Sequence, residues 1–164
     1  MSDTPAPRHA RRPEDLASRD VLLSMSGLAF LDAILRGEIA GPPIAGLLDF
    51  RLTAAGPGTA TFRGTPRFAF TNPMGGVHGG WYGAILDSAL GCAAMSVVPQ
   101  GHWYTTLEYK VNLARALPLD AEVEAAASVV HAGRSTVVAE ARLTGVADGR
   151  LYATGSTTCL VMAG

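Results

Sequence analysis

Residues 71–96 read "TNPMGGVHGGWYGAILDSALGCAAMS" and hold one formal charge, Asp87, among glycines, alanines and bulky apolar side chains. The pattern predicts a helix from Gly79 to Val98, ended by Pro99-Gln100-Gly101. It is apolar on nearly every side, so it must be buried all round. A lone ionised group moved out of water without partners costs several kcal/mol or more. Asp87 must therefore be exposed, paired or used.

Working outward, the period changes to two after this helix. Residues 103–114, 121–131, 134–146 and 150–162 alternate or run apolar, separated by "RALPLD", "HAGR" and "VADGR", and Asp148-Gly149 is a hairpin turn signal. Before the helix, strands are expected at 46–54 and 58–67, joined by "AAGPG". Further upstream, Asp20 is read as the cap of a helix running to Arg36, with Leu28, Leu31 and Leu35 on one stripe; Gly37 stops it and "GPPIAG" breaks the chain. Residues 1–15 are Pro-, Arg- and Ala-rich without apolar period and are expected to be a disordered tail, leaving one domain over 16–164. Two strands, an all-apolar helix and four strands make an α+β chain. A long antiparallel sheet can bury such a helix only by curling around it.

Composition narrows the function classes. Charged residues are 16% of the 164 and the net charge is −1, with no basic run beyond the first dozen residues. That argues against a nucleic-acid partner. Mean hydropathy is +0.22, so part of the surface is expected to be covered in an oligomer. Arg11-Arg12 before an apolar run imitates a twin-arginine leader, but Glu14, Asp15 and Asp20 intervene. The uncharged stretches 68–86 and 88–107 carry Pro73 or Pro99 and internal glycines, so neither is read as a membrane span. Cys92 and Cys159, without metal-ligand or CxxC spacing, read as reduced core thiols of a cytoplasmic protein. The histidines, His9, His78, His102 and His131, show no metal-ligand spacing, and Ser156 in "TGSTT" is no nucleophile elbow. No metal and no cofactor are expected.

The element order, with Asn72, "GGVHGG" holding His78-Gly79-Gly80, and Asp87, resembles the hotdog-fold acyl-CoA thioesterases of the phenylacetate-degradation (PaaI-like) family. The similarity extends over about residues 24–162, through "YTTLEYKVNLARAL", "HAGRS" and "GRLYATGSTTCLVM". It implies a sheet of five to six antiparallel strands wrapped around one helix, here with an extra N-terminal helix. It also implies subunits joined edge to edge as homodimers that pair into homotetramers, and hydrolysis of an acyl-CoA substrate. By the same resemblance Asn72 places the thioester carbonyl or the water, and Thr106 holds the water.

The residues suit that chemistry on their own terms. Asp87 can act as general base or nucleophile. Gly79 and Gly80 sit where a helix begins, with backbone N–H groups that have no internal partner and the positive end of the dipole, suited to an oxyanion. Gly79 and Asp87 are eight residues apart, about 12 Å along a helix, so both cannot touch one carbon. If both act, they come from two subunits, and the partner's helix start offsets the buried charge of Asp87.

The remaining residues have plainer readings beside the functional ones. Asn72 precedes a proline and suits an Asx turn, and His78 is read as a support for the loop with its ring lining the site. Thr105 and Thr106 are ordinary strand residues as well as water or substrate contacts. Arg134, in the hairpin loop "HAGRS", suits a CoA phosphate or plain exposure. Trp81 and Tyr82 could wall the acyl group or simply pack. Two rivals stand beside hydrolysis: a hydratase or dehydratase acting on a 3-hydroxyacyl thioester, which needs a catalytic histidine, and a non-catalytic acyl-CoA-binding module.

Overall fold

In the computed structural model, which describes residues 9–164, the apolar stretch forms helix α4, Gly79–Met95. Six antiparallel strands surround it: β1 Phe50–Gly56, β2 Thr59–Gly64, β3 His102–Leu113, β4 Val123–Ala132, β5 Thr136–Gly145 and β6 Leu151–Ala163. They form one sheet in the order β1-β2-β4-β5-β6-β3. Every strand packs on α4. Ile85, Leu86, Ala89 and Leu90 are fully buried against Val123, Ala125, Ala139, Leu143 and Ala153. This is the hotdog arrangement: the sheet curls because a helix without a polar face leaves water no side to reach.

Helix α4 is three residues shorter than the apolar run suggests. At Ser96 the hydroxyl donates to the Ala93 carbonyl at 2.7 Å and accepts from the Gly58 N–H at 2.9 Å, so the helix end is tied to the β1–β2 turn. A hydroxyl that bonds its own backbone in this way competes with continued helix.

The N-terminal helix departs further from expectation. It is two helices, α1 Arg19–Leu23 and α2 Gly27–Leu35, capped by Ser18 and Ser26 rather than Asp20. The break has a packing cause. The Gly27 N–H donates to the Val98 carbonyl at 2.9 Å, and a Cβ at Gly27 would collide with the Met95 carbonyl oxygen. The second helix must therefore start where a glycine lies on the end of α4. "GPPIAG", expected only to break the chain, begins a short helix α3, Pro43–Leu47, with Pro43 at its first position. That delays β1 to Phe50. Residues 1–8 of the expected tail lie outside the described residues. His9 to Asp15 carry structure: the Ala10 N–H donates to the Gly41 carbonyl at 2.9 Å, and residues 13–15 form a 3-10 turn.

Strand β3 is an edge, and a bulge at Leu107 shifts its register against β6. A bulge inverts which residues face inward. Tyr104 and Thr106 face α4 before it; Tyr109, Val111 and Leu113 do so after it. Trp103, Leu107, Tyr109 and Leu113 remain exposed along this open edge.

Gly27→Ala is expected to destabilise the chain by about 3 kcal/mol, the scale of overpacking against backbone that cannot yield. Urea unfolding measured beside Gly37→Ala, at a glycine with nothing within 4 Å, separates the clash from a backbone effect.

Candidate functional site

The loop before α4 is built by Asn72. Its Oδ1 accepts from the Met74 N–H at 2.9 Å and the Gly76 N–H at 3.3 Å, while its backbone N–H donates to the Gly76 carbonyl at 2.8 Å. The Asx turn is therefore real, and it fixes the amide so that its oxygen is spent on the loop and its NH2 remains to donate. Gly75 supplies the left-handed residue the turn needs, at φ 80°. His78 then caps the helix: its Nδ1 accepts from the Gly80 N–H at 2.9 Å. That tautomer carries its proton on Nε2.

The cap discriminates between the two glycines. The Gly80 N–H is consumed by the His78 ring, whereas the Gly79 N–H has no partner among the described residues. One donor at the positive end of a 17-residue helix thus points outward.

Asp87 lies two turns further along. It is half-buried, and one of its carboxyl oxygens, Oδ1, is buried with no hydrogen-bond partner. Burial raises its pKa above the ordinary carboxylate value, and hydrogen bonding from the Thr106 side chain opposes that rise. No described cation pairs with it. Nearby, burial and the Asp87 charge push the Cys92 thiol up to about 12, so it holds its proton and is no nucleophile.

The other expected residues are placed as follows. Thr106 meets Asp87 across the gap between β3 and α4, while Thr105 points to the opposite face and is exposed. Trp81 is 2% exposed, with its indole N–H donating to the Leu48 carbonyl at 2.9 Å, a core position rather than a pocket wall. Arg134 stands exposed at the β4–β5 hairpin without an ion-pair partner among the described residues. In one chain, then, Asn72, His78 and Gly79 gather at one end of α4, and Asp87 and Thr106 stand apart from them. A cavity of about 710 Å³ on the outer sheet face, between Thr61, Glu140 and Arg142, involves none of these residues.

Two tyrosines beside Asp87 escaped the sequence reading. Tyr109 lies over Gly83 and Tyr104 over Gly91. The spacing of those glycines, four residues on either side of Asp87, is the signal that marks them, since glycines on one helix face admit a close neighbour.

Comparison with known proteins agrees with the fold. A model of the thioesterase superfamily matches residues 74–152. A thioesterase family protein from Silicibacter pomeroyi is 31% identical, superposes with a TM-score of 0.69, and is matched over 74% of this chain and 90% of its own. A mutant of the phenylacetic acid degradation protein PaaI from Thermus thermophilus is 27% identical at a TM-score of 0.66, with 72% and 97% covered. A hypothetical thioesterase from Streptococcus pneumoniae, solved with coenzyme A, shares the fold at 23% identity and a TM-score of 0.64, with 70% and 87% covered. The sequence matches no curated protein.

Asp87 leaves a thermodynamic signature. Its pKa is raised on folding, so over the window between the ordinary carboxylate range and that raised value the folded chain keeps a proton the unfolded chain has lost. Stability from this group therefore falls as pH rises through that window and stays lower above it. Asp87→Asn, which removes the charge, is expected to raise Tm at pH 7 by about 2–4 °C and to leave Tm unchanged at pH 3. Calorimetry at the two pH values checks this.

Proposed function

The chain belongs to the thioesterase superfamily and is a thioester hydrolase, and from that premise we propose that it hydrolyses acyl-CoA thioesters at a site shared by two subunits. Asp87 activates water, or attacks directly, and the partner's Gly79 N–H holds the oxyanion. The observation that carries this reading is the buried, unpartnered Asp87 Oδ1, beside Thr106 and facing the open β3 edge. The coenzyme A bound in the pneumococcal relative supports the choice of thiol.

The chemistry follows from those positions. Asp87 takes a proton from water while Thr106 orients it, and the water oxygen bonds to the thioester carbon. The carbonyl electrons move to oxygen, where the Gly79 N–H and the helix dipole stabilise the charge. The Asn72 NH2 adds a second donor from the same loop. Collapse of the tetrahedral species breaks the C–S bond, and the CoA thiolate leaves and takes up a proton. Since the His78 Nδ1 already accepts from Gly80, that ring serves the loop rather than acting as the base a dehydratase needs.

Strand β3 and α4 run antiparallel, with Leu113 at Gly79, Tyr109 at Gly83 and Tyr104 at Gly91. Two β3 edges joined antiparallel about a two-fold axis at Lys110 pair Tyr109 with Val111 of the second copy and, with Leu107 left out in its bulge, bring Thr106 opposite Leu113 of that copy, one strand spacing of about 4.8 Å away. Asp87 of one chain then reaches the Gly79 turn of the other. The same pairing covers the apolar edge and gives Asp87 the positive helix end that one chain denies it. Dimers paired into a tetramer remain an extension of this proposal.

Asp87→Asn is expected to leave a folded dimer and lower kcat by roughly 10²-fold or more. Gly79→Pro is the complementary variant. Proline is welcome at the first helical position, and His78 before it is already extended at ψ 136°, so only the N–H is lost, for about 10²–10³ in kcat. Mixing the two inactive proteins and allowing subunits to exchange should restore about a quarter of wild-type activity, because half the dimers are mixed and each holds one intact site. No recovery after verified exchange would refute the shared site.

The pH profile is a further test. Asp87 acts ionised, so the acid limb of kcat/KM should follow its pKa, which burial raises and Thr106 and the partner's helix start oppose. Thr106→Val, which removes the opposing hydrogen bond, should move that limb to higher pH. A limb that stays in place would count against the contact.

A further inference from the structure

The face of α4 that carries Asp87 differs sharply on its two sides. One turn toward the helix start, Tyr109 lies over Gly83 with its hydroxyl 3.3 Å from the place a Cβ would take, and it is 47% exposed. One turn toward the helix end, the Tyr104 hydroxyl sits so close to Gly91 that a Cβ there would collide with it, and the ring Cζ would be 3.3 Å away. Tyr104 is sunk between two apolar clusters, one around Leu31, Met95 and Val98, the other around Ala94, Val137 and Cys159. Burial, first of all, pushes its pKa well above the ordinary tyrosine value; the neighbouring Cys92, Cys159 and Asp87 add to this. Tyr104 therefore lies within electrostatic reach of the carboxylate.

The gap between α4 and β3 is thus polar at Asp87 and Thr106. About 5.4 Å further on, one helical turn, it closes on the Tyr104 ring packed between those two apolar clusters. A thioester placed at Asp87 has two arms. The CoA arm carries charged phosphates and cannot enter an apolar dead end without a large desolvation cost. The acyl arm can. We infer that Tyr104, seated on Gly91, is the stop that sets the depth of the acyl pocket and restricts the enzyme to short acyl groups. This rests on the reading of Asp87 as the group that acts on the thioester. Gly91 is the matching half of the device, because any side chain there would drive the ring out of its seat.

The test is the chain-length profile of kcat/KM for straight-chain acyl-CoAs from acetyl to palmitoyl, followed by thiol release, for wild type, Tyr104→Val and Tyr104→Phe. Circular dichroism and gel filtration establish that each variant folds. Wild type should fall by about tenfold or more over each of the first steps beyond its optimum, the scale on which an apolar pocket rejects an extra methylene. Tyr104→Val should move the optimum to longer chains and raise the long-to-short ratio by at least about tenfold. Tyr104→Phe, which removes only the hydroxyl over Gly91, should shift the ratio in the same direction by less, and it decides alone if Tyr104→Val fails to fold. Hydrolysis with the same profile in the folded variants, or a wild type that prefers long chains, overturns the assignment of Tyr104 alone. Absence of thiol release from every acyl-CoA removes this inference together with the catalytic reading.

Discussion

An α-helix with apolar side chains on every face cannot rest on a flat sheet, because half its surface would stay in water. Helix α4 is such a helix, with eleven buried residues spread around its circumference. Six strands close around it, and the consequences run through the whole molecule. The closure needs long antiparallel strands, and it leaves β1 and β3 as edges. It also puts the one charged residue of the helix at the seam between helix and the β3 edge, where the carboxylate is half-buried.

The seam combines properties that oppose each other in stability and agree in chemistry. A carboxyl oxygen without a partner and a raised pKa are liabilities for folding, and both suit the proton acceptor proposed above. The free Gly79 N–H is a similar case: an unsatisfied donor at a helix start is costly unless water or a ligand meets it. His78 removes the ambiguity between two adjacent donors by capping one of them. The side chain read as a support for the loop thus decides which backbone N–H is left free. The glycines on either side of Asp87 extend the same logic, since they let β3 approach and bring two tyrosine rings against the carboxylate's own helix face.

Much of this was legible in the residues. An apolar run of helical length with no polar stripe, followed by four runs that alternate or stay apolar, was enough for the wrapped-helix architecture, because few arrangements bury such a helix. The spacing of Gly79 and Asp87 already placed the proposed oxyanion donor and the proposed base too far apart on one helix to share a carbon. Boundaries fared worse where a single contact decided them. The Ser96 hydroxyl ended α4, and the seat of Gly27 on the Met95 carbonyl split the N-terminal helix. Gly27 is far in sequence from Met95, and the Gly58 amide that fixes the Ser96 hydroxyl is far from α4, so local pattern carried no trace of either tie.

By itself the sequence determined the elements, their order and the presence of one costly charge, since periodicity and desolvation act residue by residue along the chain. Only the tertiary structure decided which side chains meet that charge. The bulge at Leu107 let Thr106 and Tyr109 face the helix together, the core took Trp81, and the cap on Gly80 left Gly79 free. These outcomes depend on register and close approach between segments distant in the chain. A one-residue shift there reverses a side chain's direction, and no local preference opposes it.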